Sequence, residues 1–174
     1  MTIAAVLLAY LLGSVSFAVV VSRAMKLPDP RTYGSNNPGA TNVLRTGRKA
    51  AAALTLLGDC AKGWLAVFLA AQYFNAEAAP VTEMALAAVA VVIGHMFPVF
   101  HGFQGGKGVA TAGGGVIALF WYVALICIAI FVITIKLTKR GSVGSLVICT
   151  AVPALAAAFG RPGWEVGVAA GICT

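Results

Sequence analysis

The chain has 174 residues, of which 60% are hydrophobic and only 10% charged, with a mean hydropathy of +0.95. That composition excludes an ordinary soluble domain and points to a polytopic membrane protein. The formal net charge of +7 would suggest nucleic acid in a soluble chain. Here the charges sit at the ends of apolar runs, where orientation in the bilayer accounts for them, and no nucleic-acid partner is expected.

Length permits one membrane-embedded domain over residues 1–174 and no second. The four cysteines, Cys60, Cys127, Cys149 and Cys173, all lie in apolar segments, without a CxxC pair or a histidine at ligand spacing. They read as buried free thiols, and no metal or cofactor is expected. Residues 2–22 are long enough to cross once, and no basic segment precedes them, so no cleavable signal is expected. The first charge, Arg23, follows this run, which places the N-terminus outside and Arg23 inside. Gly13, Ser14 and Ser16 near its middle suit close helix packing.

Residues 23–49 form the first polar loop, with six basic residues against Asp29 alone. Its second part, 33–49 (YGSNNPGATNVLRTGRK), holds three Asn, two Thr, one Ser and three Gly without a carboxylate. So many donors without negative charge suit an anion, phosphate above all. A plain topology-setting loop would share this composition. Pro28, Pro30 and Pro38 make much of it irregular, with a helical turn over 40–45.

A second span is expected over 50–74. It carries Asp59 and Lys62 on one helical face, read as a mutual pair or as a wall of a site, with pairing favoured. Residues 75–83, with two acids and no base, fit an external loop. A third span over 84–100 leads into HGFQGGKG at 101–108, where Gly105, Gly106, Lys107 and Gly108 precede a helix start. Backbone N–H groups and an ammonium there could meet a phosphate, or the glycines could only make a turn. The spacing is not that of a P-loop. His95 and His101 flank this segment, and either could be a simple helix-end polar residue.

Residues 109–135 run without a charge. A single helix of that length would rise about 40 Å and put the next basic loop on the opposite face. Two short helices, with an irregular start at Gly113 to Gly115 and a turn at Trp121 and Tyr122, return that loop to the same face. The charge pattern favours two. Residues 136–145 (KLTKRGSVGS) are the third acid-free loop. A span over 146–159, interrupted by Pro153, a turn at Arg161 to Gly163 and an apolar start over 164–174 complete the chain, which reads as ending inside its last helix.

Ten basic residues thus fall in the three loops 23–49, 101–108 and 136–145, against Arg161 on the other side and Lys62 within a span. This places all three loops in the cytoplasm, where they can converge on one site. A small transporter or channel for an organic phosphate is the alternative, but it would distribute polar residues towards both faces.

The strings GSVSFA (13–18), YGSNNPGATNVLR (33–45), GDCAKG (58–63), GHMFPVFHGFQGGKGVAT (94–111) and SVGS (142–145) resemble, in order and spacing, the bacterial acyl-phosphate:glycerol-3-phosphate acyltransferases. The resemblance covers essentially the whole chain. It implies an all-α bundle of about seven transmembrane helices, several short, in the bacterial inner membrane with the active site on the cytoplasmic face. It implies a fatty acyl phosphate donor, glycerol 3-phosphate as acceptor and lysophosphatidic acid as product, the first step of phospholipid synthesis. By residue, it assigns Ser35 and Arg45 to the first motif and Gly105, Gly106, Lys107 and Gly108 to the glycerol phosphate loop. The family's third motif, rich in His, Asn and Glu, would follow Thr174. Substrate contacts are expected from Asn37, Thr41, Asn42, Arg45, Ser142 and Ser145 besides the glycines, and catalytic roles from Ser35, Lys107 and, as an alternative base, His95. No nucleophile–His–acid set is visible, so direct transfer is expected, by a monomer.

Overall fold

The structure is a computed structural model that describes residues 2–73 and 81–160, together with residues 163, 166, 167, 170 and 171. Every regular element among the described residues is helical. The helices are α1 (Thr2–Gly13), α2 (Phe17–Ala24), α3 (Ala40–Val43), α4 (Lys49–Tyr73), α5 (Val81–Met96), α6 (Val109–Leu119), α7 (Trp121–Thr138) and α8 (Gly141–Ala158), with tight turns at Leu44–Thr46 and Val99–His101. Among the described residues, four helices are long and apolar enough to cross a membrane, or five if α1 and α2 form one broken span; α6 is apolar but shorter.

The first span is not one straight helix. It breaks after Gly13, and α2 resumes at a 40° angle. A break inside a bilayer frees carbonyls that lipid cannot satisfy. Lys62 supplies the missing donors: its Nζ donates to Gly13 O at 2.8 Å and Val15 O at 2.6 Å. Ser14 Oγ donates back to Tyr10 O at 2.9 Å and accepts the Val99 N–H at 3.3 Å. The small residues expected to serve only packing therefore also make a bend.

Packing between helices is nonetheless set by glycine. A Cβ at Gly13 would strike Val91 O and one at Gly94 would strike Tyr10 O, so α1 and α5 touch backbone to backbone. The same holds for α4 and α6, where Gly63 faces Thr111 O and Gly114 faces Cys60 O. Close backbone approach replaces the hydrophobic drive that lipid removes. One apolar cluster of α1, α4, α5 and α6 is centred on Val67, Ala88 and Val91. A second joins Phe120, Val123 and Cys127 to Val152 and Ala156 of α8.

The uncharged 109–135 run is two helices, broken at Phe120. The break lies one residue before Trp121, which already begins α7. Gly113 to Gly115 lie inside α6, because tight packing on α4 stabilises a helix that glycine alone would weaken. The supposed loop 136–145 shrinks to Lys139 and Arg140: α7 runs to Thr138 and α8 starts at Gly141. Lys139 takes φ 58° to close the turn, its N–H bonded to Ile135 O at 2.8 Å. Pro153 is accommodated within α8 without ending it. Of the external loop expected at 75–83, residues 75–80 lie outside the described residues and Val81 to Glu83 open α5. The turn at Arg161 to Gly163 and the segment 164–174 fall largely outside them too, although Val166 packs on the second cluster.

Candidate active site

The first polar loop is built around Asn42, which is 2% exposed. Its Nδ2 donates to Pro30 O at 2.7 Å and Tyr33 O at 3.1 Å, and its Oδ1 accepts the Ser35 N–H at 3.1 Å. Asn42 was expected to contact substrate. Its amide is instead committed to three backbone groups, so it shapes the loop that presents Ser35. Gly34 sits inside this ring with φ +61°; a Cβ there would overlap Asn42 Oδ1 and lie 3.1 Å from Arg45 Nη1. Only glycine fits a left-handed position that close to both side chains. Ser35, Thr41 and Arg45 are exposed, and Asn37 is half-buried beside Gly39.

Upstream, Asp29 accepts from the Arg31 backbone N–H at 2.9 Å and from its guanidinium at 2.7 Å. The guanidinium hydrogen bonds hold the carboxyl at about 2. The folded value lies below the ordinary one, so the pair's contribution is present above pH 3.8 and fades as pH falls towards 2. With both side chains a quarter to a third exposed, solvent screening keeps that contribution small. The loop's one acid is thereby neutralised within the loop.

The second segment leaves α5 through Pro98 and the Val99–His101 turn. Its glycines are pressed onto the end of α5: a Cβ at Gly105 would meet His95 O and Met96 O, and one at Gly106 would overlap His95 Nε2. The Gly106 N–H donates to His95 O at 3.1 Å. Gly108, buried with φ +75°, is the residue before α6 and turns the chain into it. The following N–H groups of α6 open towards this end, while Lys107 is exposed beside them.

His95, the alternative base, is 6% exposed. Its Nδ1 lies 3.1 Å from Thr111 Oγ1 and 3.4 Å from Asp59 Oδ1. The expected Asp59–Lys62 pair is present at 2.9 Å, with both side chains buried. It joins three helices and the α1–α2 break, a wider role than two residues on one face. The signal in the sequence was the presence of three ionisable residues in adjoining apolar runs; Thr111 carried none.

The three polar segments meet at one end of the bundle. Arg23 and His101 line one depression together with Val19, Val20 and Ala24, joining the first segment to the second. Thr41 approaches the start of α8, where a Cβ at Gly141 would lie 3.7 Å from its Oγ1. Ser142, on that first turn, is exposed; Ser145 is half-buried and donates back to Gly141 O at 3.0 Å.

Fold and site together define an integral membrane protein with one end rich in hydrogen-bond donors and nearly free of uncompensated acid. Residues 3–174 match the family described as glycerol-3-phosphate acyltransferase. A relative of that name from Laribacter hongkongensis is 54% identical over 96% of this chain and 83% of its own length. One from Thiobacillus denitrificans is 56% identical over 87% and 76%, respectively. The crystal structure of PlsY, an integral membrane glycerol 3-phosphate acyltransferase, in its glycerol 3-phosphate form is 34% identical with a TM-score of 0.90, covering 99% of this chain and 84% of that one. Its lysophosphatidic acid form has a TM-score of 0.88 at 33% identity, with the same shares covered. The chain belongs to the glycerol-3-phosphate acyltransferase family and is an acyltransferase.

Proposed function

We propose that this chain transfers a fatty acyl group from acyl phosphate to the primary hydroxyl of glycerol 3-phosphate, giving lysophosphatidic acid and inorganic phosphate. The observation that carries the reading is the meeting of three acid-poor segments at one end of a membrane bundle. Both substrates carry phosphate, so the site must hold two multiply charged groups without carboxylates repelling them. Arg45 and Lys107 bind phosphate oxygens by charge-assisted hydrogen bonds, helped by Ser142 and Thr41 beside the start of α8. Asn37 and the amides around Gly105, Gly106 and Gly108 complete the cradle.

Acyl phosphate is already an activated mixed anhydride. The acceptor oxygen attacks the acyl carbonyl carbon, a phosphate oxygen of the donor takes the hydroxyl proton, and the carbon–oxygen bond to phosphate breaks as the ester forms. Ser35 or a neighbouring amide stabilises the developing oxyanion. The burial of His95 argues against its use as the base.

Purified protein should release phosphate from acyl phosphate only when glycerol 3-phosphate is supplied. Release that ignores the acceptor would overturn the reading, and an acylated Ser35 trapped with donor alone would overturn direct transfer. Arg45→Ala should raise the KM for glycerol 3-phosphate at least about tenfold, the value of one charge-assisted hydrogen bond. An unchanged rate at limiting acceptor would remove Arg45 from the site.

The topology that goes with this chemistry has about seven spans, the N-terminus outside and the three polar segments in the cytoplasm of an inner membrane. The excess of Lys and Arg at one end supports it. Thr138, exposed at the end of α7, tests it: a cysteine there should react with a membrane-impermeant thiol reagent only after the inner face is opened. Labelling in intact cells would invert the arrangement.

A further inference from the structure

We propose that Asp59, Lys62 and His95 form a buried positioning relay that sets the glycine segment around Gly106, and through it the affinity for glycerol 3-phosphate. The inference rests on reading Gly105 to Gly108 as part of the acceptor site.

The relay begins at the break between α1 and α2. The Lys62 ammonium donates to Gly13 O and Val15 O and forms an ion pair with Asp59 Oδ1 at 2.9 Å. Lys62 thus holds the Asp59 carboxylate beside the bend by charge. Asp59 Oδ1 stands 3.4 Å from His95 Nδ1, and Thr111 Oγ1 of α6 stands 3.1 Å from the same nitrogen. One edge of the imidazole is thus hydrogen-bonded to α6 and faces the Asp59 carboxylate of α4. The other edge lies against Gly106, where a Cβ would overlap Nε2 and come within 3.1 Å of Cδ2 and Cε1. The Gly106 N–H also donates to the carbonyl of His95 itself. Gly106 is therefore held from two sides by one residue, whose ring is hydrogen-bonded to Thr111 and faces the buried ion pair.

Asp59 and Lys62 are 2% exposed and His95 is 6% exposed. Ionisable groups buried at this depth are costly, and the bend accounts for Lys62 but not for the imidazole of His95 on the far side of Asp59. A role in placing Gly106 and its neighbour Lys107 gives the arrangement a use that packing alone does not. Each of the three acts through the loop, so each is a positioning residue.

The test is the split between KM and kcat in purified protein. His95→Asn keeps an amide donor near the Nδ1 position for Asp59 and Thr111 but withdraws the ring from Gly106. It should raise the KM for glycerol 3-phosphate about tenfold, a shift of about 1.4 kcal/mol, with the KM for acyl phosphate within about twofold of the parent. Asp59→Asn, which loosens the ring from the other side, should shift the same constant in the same direction. His95→Asn leaves the ion pair intact and carries the test if Asp59→Asn does not fold.

Equal rises in both KM values would mean general loosening and overturn the relay. A fall of about 100-fold in kcat with KM unchanged would make His95 a base and overturn it as well. Gly106→Ala separates the two levels. If it raises the acceptor KM while His95→Asn and Asp59→Asn do not, the relay falls and the loop reading stands. If Gly106→Ala also leaves that KM unchanged, the loop reading falls with it.

Discussion

Lys62→Met should cost the folded bundle about 3–5 kcal/mol, the range for removing one partner of a buried ion pair. Methionine fits the volume and the helix, so little of the loss would come from packing or propensity. Two carbonyls lose their donor and one carboxylate its ion pair at once. The Asp59 carboxylate is left buried without its cation, and Gly13 O and Val15 O are left inside the bundle without their donor. Unfolding followed in detergent by denaturant or heat checks the loss. The double variant Asp59→Leu with Lys62→Met should recover part of it, because the uncompensated charge is gone while the two carbonyls remain orphaned. Equal stability of Lys62→Met and the parent would show that the ammonium does not hold the bend.

This bend marks the boundary of what local sequence carries. Run length and charge place the spans because matching a bilayer is a local property: the apolar stretch that contains Asp59 and Lys62 is α4 almost to the residue. The two-helix reading of 109–135 holds for the same reason, since loop charges register on which side a helix ends. The break after Gly13 is different. Its stability depends on a lysine 49 positions away, and no pattern within residues 2–22 announces that partner. The glycines of α6 mislead in the same manner: three in a row signal irregularity locally, yet the backbone of α4 lies against one of them. At the site, residue types and loop membership were legible, and the motif strings reach the family. What separates a ligand from a strut was not. Ser35 and Asn42 look equally suited to an anion by composition. One is exposed and the other has its amide consumed by the loop.

That distinction yields the second large effect. Asn42→Ala should reduce acyl transfer by about 100-fold or more while leaving global unfolding much closer to the parent than Lys62→Met does. The substitution deletes two donors and an acceptor at a residue 2% exposed, leaving Pro30 O, Tyr33 O and the Ser35 N–H without their partners. At about 1–3 kcal/mol for the buried Pro30 carbonyl left unsatisfied, and less for the two part-buried groups, the local loop conformation loses its advantage over alternatives in which water reaches them. The helices need not move, because α3 remains packed on α4 through Val43 and Ala51. Ser35 and Arg45 then sample many positions, and a misplacement of an ångström at either is enough to cost orders of magnitude in rate. Amide hydrogen exchange should show the change confined to the loop from Pro30 to Asn42. Asn42→Asp sharpens the result: it retains an acceptor for the Ser35 N–H but loses both donors, and it adds a negative charge beside Arg45. It should be no better than alanine if the donors hold the loop. Activity restored by aspartate would instead assign the function of Asn42 to its acceptor oxygen alone.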